Sequence, residues 1–365
     1  MHIVHVDTGK DFRGGQELLL TLARGLRDRG HQQLIACPRD SALDQRARAL
    51  ELDVFSLPGF KPSRARSYLA LREQLKKTPF EIVHAHDAHA QTISAVASAG
   101  LGIRRVASRL VAFAPRHPGV HRLKYRSTCD MVIALSQPVR RALLAAGVPD
   151  RMIEVIEPGI DPPAALPTLE TRRRARAKWS LCDHHFAIGH VAAFTEEKGQ
   201  AVALEAAGIL AERMPEARML LAGDGPLRNA AGTARLLSRA GESARLPGFV
   251  EDLDEFHAAL DLYVMPSLSE AWGLAALHAM SHGLAVVASN VEGLAAVVED
   301  GKTGWLVPPG DAAALAQAIE FAASDRGRLE EFGRRARERS FLFSSGRTVE
   351  RTESLYRRLL NGALP

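Results

Sequence analysis

Short apolar runs, mostly β-branched, alternate with longer stretches of helical periodicity almost from end to end. In the first half the strand-like runs fall at residues 3–6, 34–37, 82–85, 106–108 and 132–135. In the second half they fall at 188–191, 219–222, 262–265, 286–288 and 305–307. Between them lie amphipathic segments such as 16–29, where Leu18, Leu22 and Leu26 recur at helical spacing and Gly30 supplies a stop. Strands that are apolar on both faces and separated by helices predict parallel sheets covered on both sides.

The rhythm breaks at Glu157-Pro158-Gly159-Ile160-Asp161-Pro162-Pro163, followed by Pro167 and a basic run over 172–178. Clustered proline and glycine mark a domain boundary there. The expected division is 1–162, 163–345, and a terminal segment 346–365 whose amphipathic part, 348–360, packs back on the first domain. The basic run reads as the solvated face of a helix. Two doubly wound α/β domains bind ligands outside the carboxyl ends of their strands, so the cleft between them is the expected site.

Composition narrows the partners. With 365 residues, 46% of them hydrophobic and 24% charged, the chain suits two ordinary globular cores. The net charge of +5 comes largely from arginine and is compatible with phosphate-bearing ligands, anionic lipid or nucleic acid, without choosing among them. No basic stripe stands out as a nucleic-acid surface, so no nucleic-acid partner is expected. Cys37, Cys129 and Cys182 are widely spaced, which speaks against a disulfide framework or zinc site and predicts a cytoplasmic location. The first strand-like run starts at His2, so no secretory leader is expected. No apolar run reaches the roughly 18 residues of a membrane helix. Any membrane contact is therefore expected to be peripheral. A candidate is the segment carrying Arg104, Arg105, Arg109, Arg116, Arg122, Lys124 and Arg126, interspersed with Val111, Phe113 and Tyr125. Such a mixture suits an anionic membrane holding a lipid-linked acceptor, or a plain solvated surface.

Four segments carry candidate chemistry. Arg13-Gly14-Gly15-Gln16-Glu17 joins the first strand to the first helix, where glycines admit a close ligand and helix N–H groups attract anions; a tight turn is the other reading. His84-Ala85-His86-Asp87-Ala88-His89 lies at the carboxyl end of a strand, with His84 and His86 on one face. Three histidines facing one cleft could suggest a metal site, but nothing clearly supplies further ligands nearby, so no metal is expected; a structural role for any one of them is the other reading. Lys198-Gly199 follows the first strand of the second half and offers a cation to phosphate, or a solvated helix start. The fourth is a set of glycine-rich turns: Gly223-Asp224-Gly225-Pro226, Pro247-Gly248-Phe249-Val250, Glu270-Ala271-Trp272-Gly273-Leu274 and Gly301-Lys302-Thr303-Gly304. Asp252-Leu253-Asp254 spells a motif that elsewhere holds metal, but here reads as acids capping a helix start.

Taken in order, these segments resemble the retaining glycosyltransferases of family 4, over essentially the whole chain. The resemblance implies a GT-B architecture of two Rossmann-like domains, the first binding an acceptor and the second a nucleotide-sugar. It implies metal-independent, retaining transfer from a UDP- or GDP-sugar to a glycan or lipid-linked acceptor, in cell-envelope or lipopolysaccharide-type synthesis. No cofactor beyond the donor is implied. By the same match, Gly14 and Gly15 close on the donor phosphates, His86 faces the reacting groups, and His89 lies on the acceptor side. Lys198 holds the diphosphate, the Val250 backbone meets the base, and Glu270 reaches the sugar hydroxyls. The N–H groups of Gly273 and Leu274 meet phosphate. Two positions depart from the family: Ala193 stands where arginine is usual, and His278 where a ribose-binding glutamate is usual. An epimerase or phosphorylase on the same scaffold, or a non-catalytic sugar-nucleotide module, remains an alternative.

Overall fold

A computed structural model describes residues 1–58, 64–111 and 118–362. The chain forms two compact units, Met1–Gly159 with Ser345–Pro365, and Ile160–Ser344.

The first unit is built on seven strands: β1 (His2–Val6), β2 (Gln32–Pro38), β3 (Asp53–Leu57), β4 (Ile82–Ala85), β5 (Arg104–Arg109), β6 (Met131–Ala134) and β7 (Ile153–Val155). They lie in the order β3-β2-β1-β4-β5-β6-β7, with every pair parallel. The second unit has β8 (Phe186–Val191), β9 (Ala217–Ala222), β10 (Ala244–Gly248), β11 (Leu262–Met265), β12 (Val286–Ser289) and β13 (Gly304–Val307). Their order, β10-β9-β8-β11-β12-β13, repeats the same doubly wound plan. The strand order reverses direction beside β1 and β4 in one unit and beside β8 and β11 in the other. Those are the places where loops part and leave room for a ligand.

Central strands such as β4, β6, β11 and β12 are buried along their whole length, which is why they read as continuous apolar runs. The helix Ser345–Leu360 completes the core of the first unit. Its Val349, Leu355, Tyr356 and Leu359 pack with Ile3, Leu22, Leu26, Ile82, Val106 and Ile133. Glu353 on the same helix, also buried, accepts from His31 at 2.9 Å, Arg29 at 2.9 Å and Arg357 at 2.6 Å.

One surface expectation is corrected. The basic run is not simply solvated: Arg176, 5% exposed, donates to the carbonyls of Ala259, Cys182 and His185. Arg172 and Arg176 both reach the carboxylate of Asp261, at 2.8 and 3.2 Å. A buried carboxylate is tolerable only with such partners, so these arginines clamp the helix Leu169–Lys178 to the segment that enters β11. In the other basic segment Tyr125 is buried, and Lys124 donates to the Ala88 carbonyl at 2.9 Å. Arg104 and Arg126 are exposed. Phe113 and Arg116 lie outside the described residues, and the side chain of Arg122 is likewise outside them. No helix among the described residues is long and apolar enough to cross a membrane.

Candidate active site

In the second unit, β8 runs into a single 3-10 turn, Glu196–Lys198, before the helix Gln200–Arg213. Gly199 between them has a left-handed φ of 68°, and a Cβ there would stand 1.9 Å from the Pro266 carbonyl oxygen. Only glycine lets the turn press so closely on the end of β11. The Leu268 N–H donates to the Glu197 carbonyl at 2.8 Å and ties the two loops together. The result is that Lys198 Nζ donates to Glu270 Oε2 at 2.6 Å, with the side chains 24% and 12% exposed. The lysine and the carboxylate named from sequence thus meet at the carboxyl ends of β8 and β11.

Gly273 then caps the helix Leu274–Ser281 in a left-handed conformation, and a Cβ would strike Leu294 at 2.7 Å. The first N–H groups of that helix have no partners within it, and they begin just after Glu270. Trp272, 4% exposed, stacks edge-on against Phe343 at 5.3 Å and fixes the loop from behind. Val250 is half-buried beyond β10. His278 lies on the Leu274–Ser281 helix, half-buried, with its carbonyl accepting from His282 Nδ1 at 2.9 Å. His257 beside it is fully buried, and burial, aided by His282 and His278, pushes its pKa well down. The Gln200 amide donates to the carbonyl of Ala193 at 2.8 Å, so Ala193 is held through its backbone. Asp252 accepts from the Glu255 N–H at 2.8 Å and caps the helix Leu253–Ala258, while Asp254 accepts from His282 Nε2 at 3.0 Å.

In the first unit Gly14 and Gly15 are not a free loop. They open the helix Gly14–Asp28, whose start is closed by Gln16 Oε1 accepting from the Arg13 N–H at 3.1 Å. Gln16 Nε2 in turn donates to Asp7, which also accepts from the Gly9 N–H at 2.8 Å. Burial raises the Asp7 pKa, and its bond from Gln16 works against that rise. At the end of β4, Asp87 caps the helix Ala88–Ser98 by accepting from the His89 and Ala90 N–H groups, and it also accepts from Thr8. The β1 and β4 loops are therefore stitched together, as the β8 and β11 loops are. The His89 side chain is exposed, whereas His86 is 5% exposed.

The sequence suggested two histidines on one face; the structure adds a third. Parallel pairing sets His5 opposite His84, and ring nitrogens of His5, His84 and His86 lie within 4.8 Å of one another. His5 Nδ1 is 3.0 Å from His86 Nε2, and His5 Nε2 is 2.8 Å from Gln33 Oε1. His84 is held by the Tyr356 hydroxyl at 2.6 Å and by Ser108 at 2.8 Å. Burial pushes the pKa of His5 down to about 4 and those of His84 and His86 well below the usual range, so all three rings are neutral at pH 7. Five of their six nitrogens are engaged, His5 and His86 with each other, His5 with Gln33, and His84 with Tyr356 and Ser108, so a cation would have to displace existing bonds. His84, His86 and Ser108 help line a cavity of about 50 Å³ together with Leu18, Ile133 and Val349. The strand alternation that pairs His84 with His86 was readable from sequence; the register that adds His5 and Gln33 was not.

Comparison with known proteins agrees with this architecture. The model for Glycosyltransferase Family 4 matches residues 12–163, and that for Glycosyl transferases group 1 matches residues 185–325. The chain is 32% identical over 223 residues to a D-inositol 3-phosphate glycosyltransferase of Paenarthrobacter aurescens (strain TC1), covering 58% of this chain and 53% of that protein. It is 29% identical over 187 residues to the putative glycosyltransferase EpsD of Bacillus subtilis (strain 168), covering 51% and 49%. The match thus spans about half the length of these curated relatives. In fold it resembles Anabaena Alr3699/HepE in complex with UDP-glucose, at 23% identity and a TM-score of 0.87 over 97% of this chain and 99% of that one. It also resembles WaaG, a glycosyltransferase involved in lipopolysaccharide biosynthesis, at 17% identity and a TM-score of 0.74 over 98% and 99%. With one model on each half and the GT-B fold beneath both, the chain belongs to glycosyltransferase family 4, glycosyl transferases group 1.

Proposed function

We propose that this protein transfers a sugar from a nucleotide-sugar to an acceptor hydroxyl, with retention at the anomeric carbon and without a metal ion. The observation that carries the reading is the Lys198–Glu270 pair at the switch point of the second sheet. A diphosphate needs a cation and free N–H groups; a sugar needs a carboxylate to accept from its hydroxyls. Lys198 and the N–H groups of Gly273 and Leu274 supply the first, and Glu270 the second. Val250 borders the base and His278 the ribose. The first unit contributes the helix start at Gly14 and Gly15 and, for the hydroxyl chemistry, His86, with His89 toward the acceptor.

In the reaction the bond from the anomeric carbon to the diphosphate oxygen breaks as the acceptor oxygen bonds to the same face. The acceptor proton passes to the departing phosphate oxygen. Stabilising the charge that develops on that oxygen is worth a few kcal/mol, which is the role of Lys198 and the two N–H groups. Support for the donor class comes from HepE, whose complex holds UDP-glucose, and support for an envelope glycan or lipid-linked acceptor comes from WaaG. A glycan made on lipid would bring the exposed Arg104 and Arg126 near an anionic membrane; salt-insensitive partitioning onto neutral and anionic liposomes alike would remove that part of the reading.

The test is a melting screen with UDP-, GDP- and ADP-sugars in excess EDTA, followed by assay of nucleotide release. One nucleotide class should raise the melting temperature, because a ligand of the folded state stabilises it. Release should persist in EDTA. A strict requirement for a divalent ion would overturn the metal-free mechanism, and isomerised donor without transfer would make the protein an epimerase.

A further inference from the structure

Behind His86 stands a chain of polar groups that the reaction as described does not use. Gln33, on β2 and 7% exposed, presents its amide oxygen to His5 Nε2 at 2.8 Å. His5, fully buried on β1, presents Nδ1 to His86 Nε2 at 3.0 Å. A neutral imidazole carries one N–H and one lone pair. Burial removes the imidazolium form from all three histidines near neutral pH. A carbonyl oxygen can only accept, so His5 must carry its proton on Nε2 and offer a lone pair at Nδ1. His86 must then donate from Nε2, which leaves Nδ1 as its lone-pair nitrogen. Among the described residues, Nδ1 of His86 has no hydrogen-bond partner, and His86 borders the cavity.

We propose that Gln33 and His5 are positioning residues that lock His86 into a single tautomer, with Nε2 protonated and Nδ1 reserved to accept a hydrogen bond from a carbohydrate hydroxyl. The proposal rests on the reading of His86 given above and specifies its chemistry. Such a nitrogen accepts from a hydroxyl and repels a carbonyl or carboxylate at the same position. The lock turns on one amide. Were the Gln33 side chain reversed, its NH2 would donate to His5, both tautomers would invert, and His86 would point an N–H at the ligand instead.

The experiment uses the full chain labelled with 15N in histidine, with the His86 signals assigned by their loss in His86→Asn. Long-range proton–nitrogen correlation at pH 7.5 should show protonated Nε2 and unprotonated Nδ1 for His86. Gln33→Glu, which keeps an acceptor, should preserve that pattern. Gln33→Met should mix the tautomers and slow UDP release from UDP-glucose about tenfold, the effect of one hydrogen bond, with little change in donor KM. A proton on His86 Nδ1 in the wild type overturns the proposal, as does a single unchanged tautomer in Gln33→Met. The wild-type spectrum decides the matter even if a variant fails to fold. Full activity in His86→Asn with the expected wild-type spectrum would instead remove the role of His86 in transfer and leave the lock standing.

Discussion

The two units share a strand order and a pair of stitched loops at the switch point, yet they place opposite kinds of chemistry there. The second unit presents charge: Lys198 and Glu270 meet at 2.6 Å on a turn that only glycine can form. The first presents neutral rings: His5, His84 and His86 are buried and uncharged, with His5 bonded to His86 and His84 to Tyr356 and Ser108. The difference teaches that the scaffold fixes where a ligand can sit, while the residues at strand ends fix what it can be. A cation beside open helix N–H groups suits a diphosphate; neutral imidazoles suit hydroxyls, whose donors and acceptors they can match without a counter-ion.

The largest expected effect tests whether the scaffold of the second unit is independent of its site. Asp261→Ala leaves Arg172 and Arg176 without their carboxylate, and Arg176 is buried. Breaking a buried pair from one side costs about 3–5 kcal/mol. Urea unfolding should show a loss of that order. A change under 1 kcal/mol would mean that the arginines are satisfied by carbonyls alone.

A smaller effect tests what the units have in common. His5 in the first and His190 in the second both have pKa values lowered by burial to about 4, from an ordinary 6.5. The unfolded chain takes up protons near pH 6.5 and the folded chain not until about 4, so stability must fall as the pH drops between them. The slope is about 1.4 kcal/mol per pH unit for each histidine. Glu353, held down at about 2, starts to add its own loss only below the ordinary carboxylate range near 4.5. Unfolding free energies at pH 7 and 5.5 should therefore differ measurably. Equal values would mean that these rings are already charged or already exposed.

The smallest effect concerns His278. If His278 borders the ribose as proposed, a glutamate there would accept from both ribose hydroxyls, where a neutral imidazole accepts one bond. One added hydrogen bond is worth about 1 kcal/mol, so His278→Glu should tighten donor binding about fivefold. Unchanged affinity would leave His278 a partner of the His257 and His282 group and nothing more.

Much of this contrast was legible before the structure, and the rest was hidden for identifiable reasons. Central strands announce themselves because both faces are buried. The strands that the pattern missed, β3, β7 and β10, are all sheet edges with mixed burial. Lys198 and Glu270 sit in motifs whose neighbours specify turns, so their residues could be named. Their contact depends on β8 lying beside β11, which the fold class supplies. His5 and Gln33 belong to plain strand sequence, and only the register of β1 against β2 and β4 brings them to His86. Arg176 looked like surface because its helix reads as almost wholly polar, while a buried acid 85 residues away draws it inward.

The most direct measurement is calorimetric titration of the sugar nucleotide chosen by the melting screen into wild type, Lys198→Ala and His86→Asn, with nucleotide release assayed in parallel. Lys198→Ala should lose about 2–5 kcal/mol of donor binding, the cost of removing one partner of a close charge pair. His86→Asn should bind donor within a few-fold of wild type and lose most of its turnover. Wild-type affinity in Lys198→Ala, or donor binding lost in His86→Asn while Lys198→Ala retains it, would contradict the division of charge and hydroxyl chemistry between the two units.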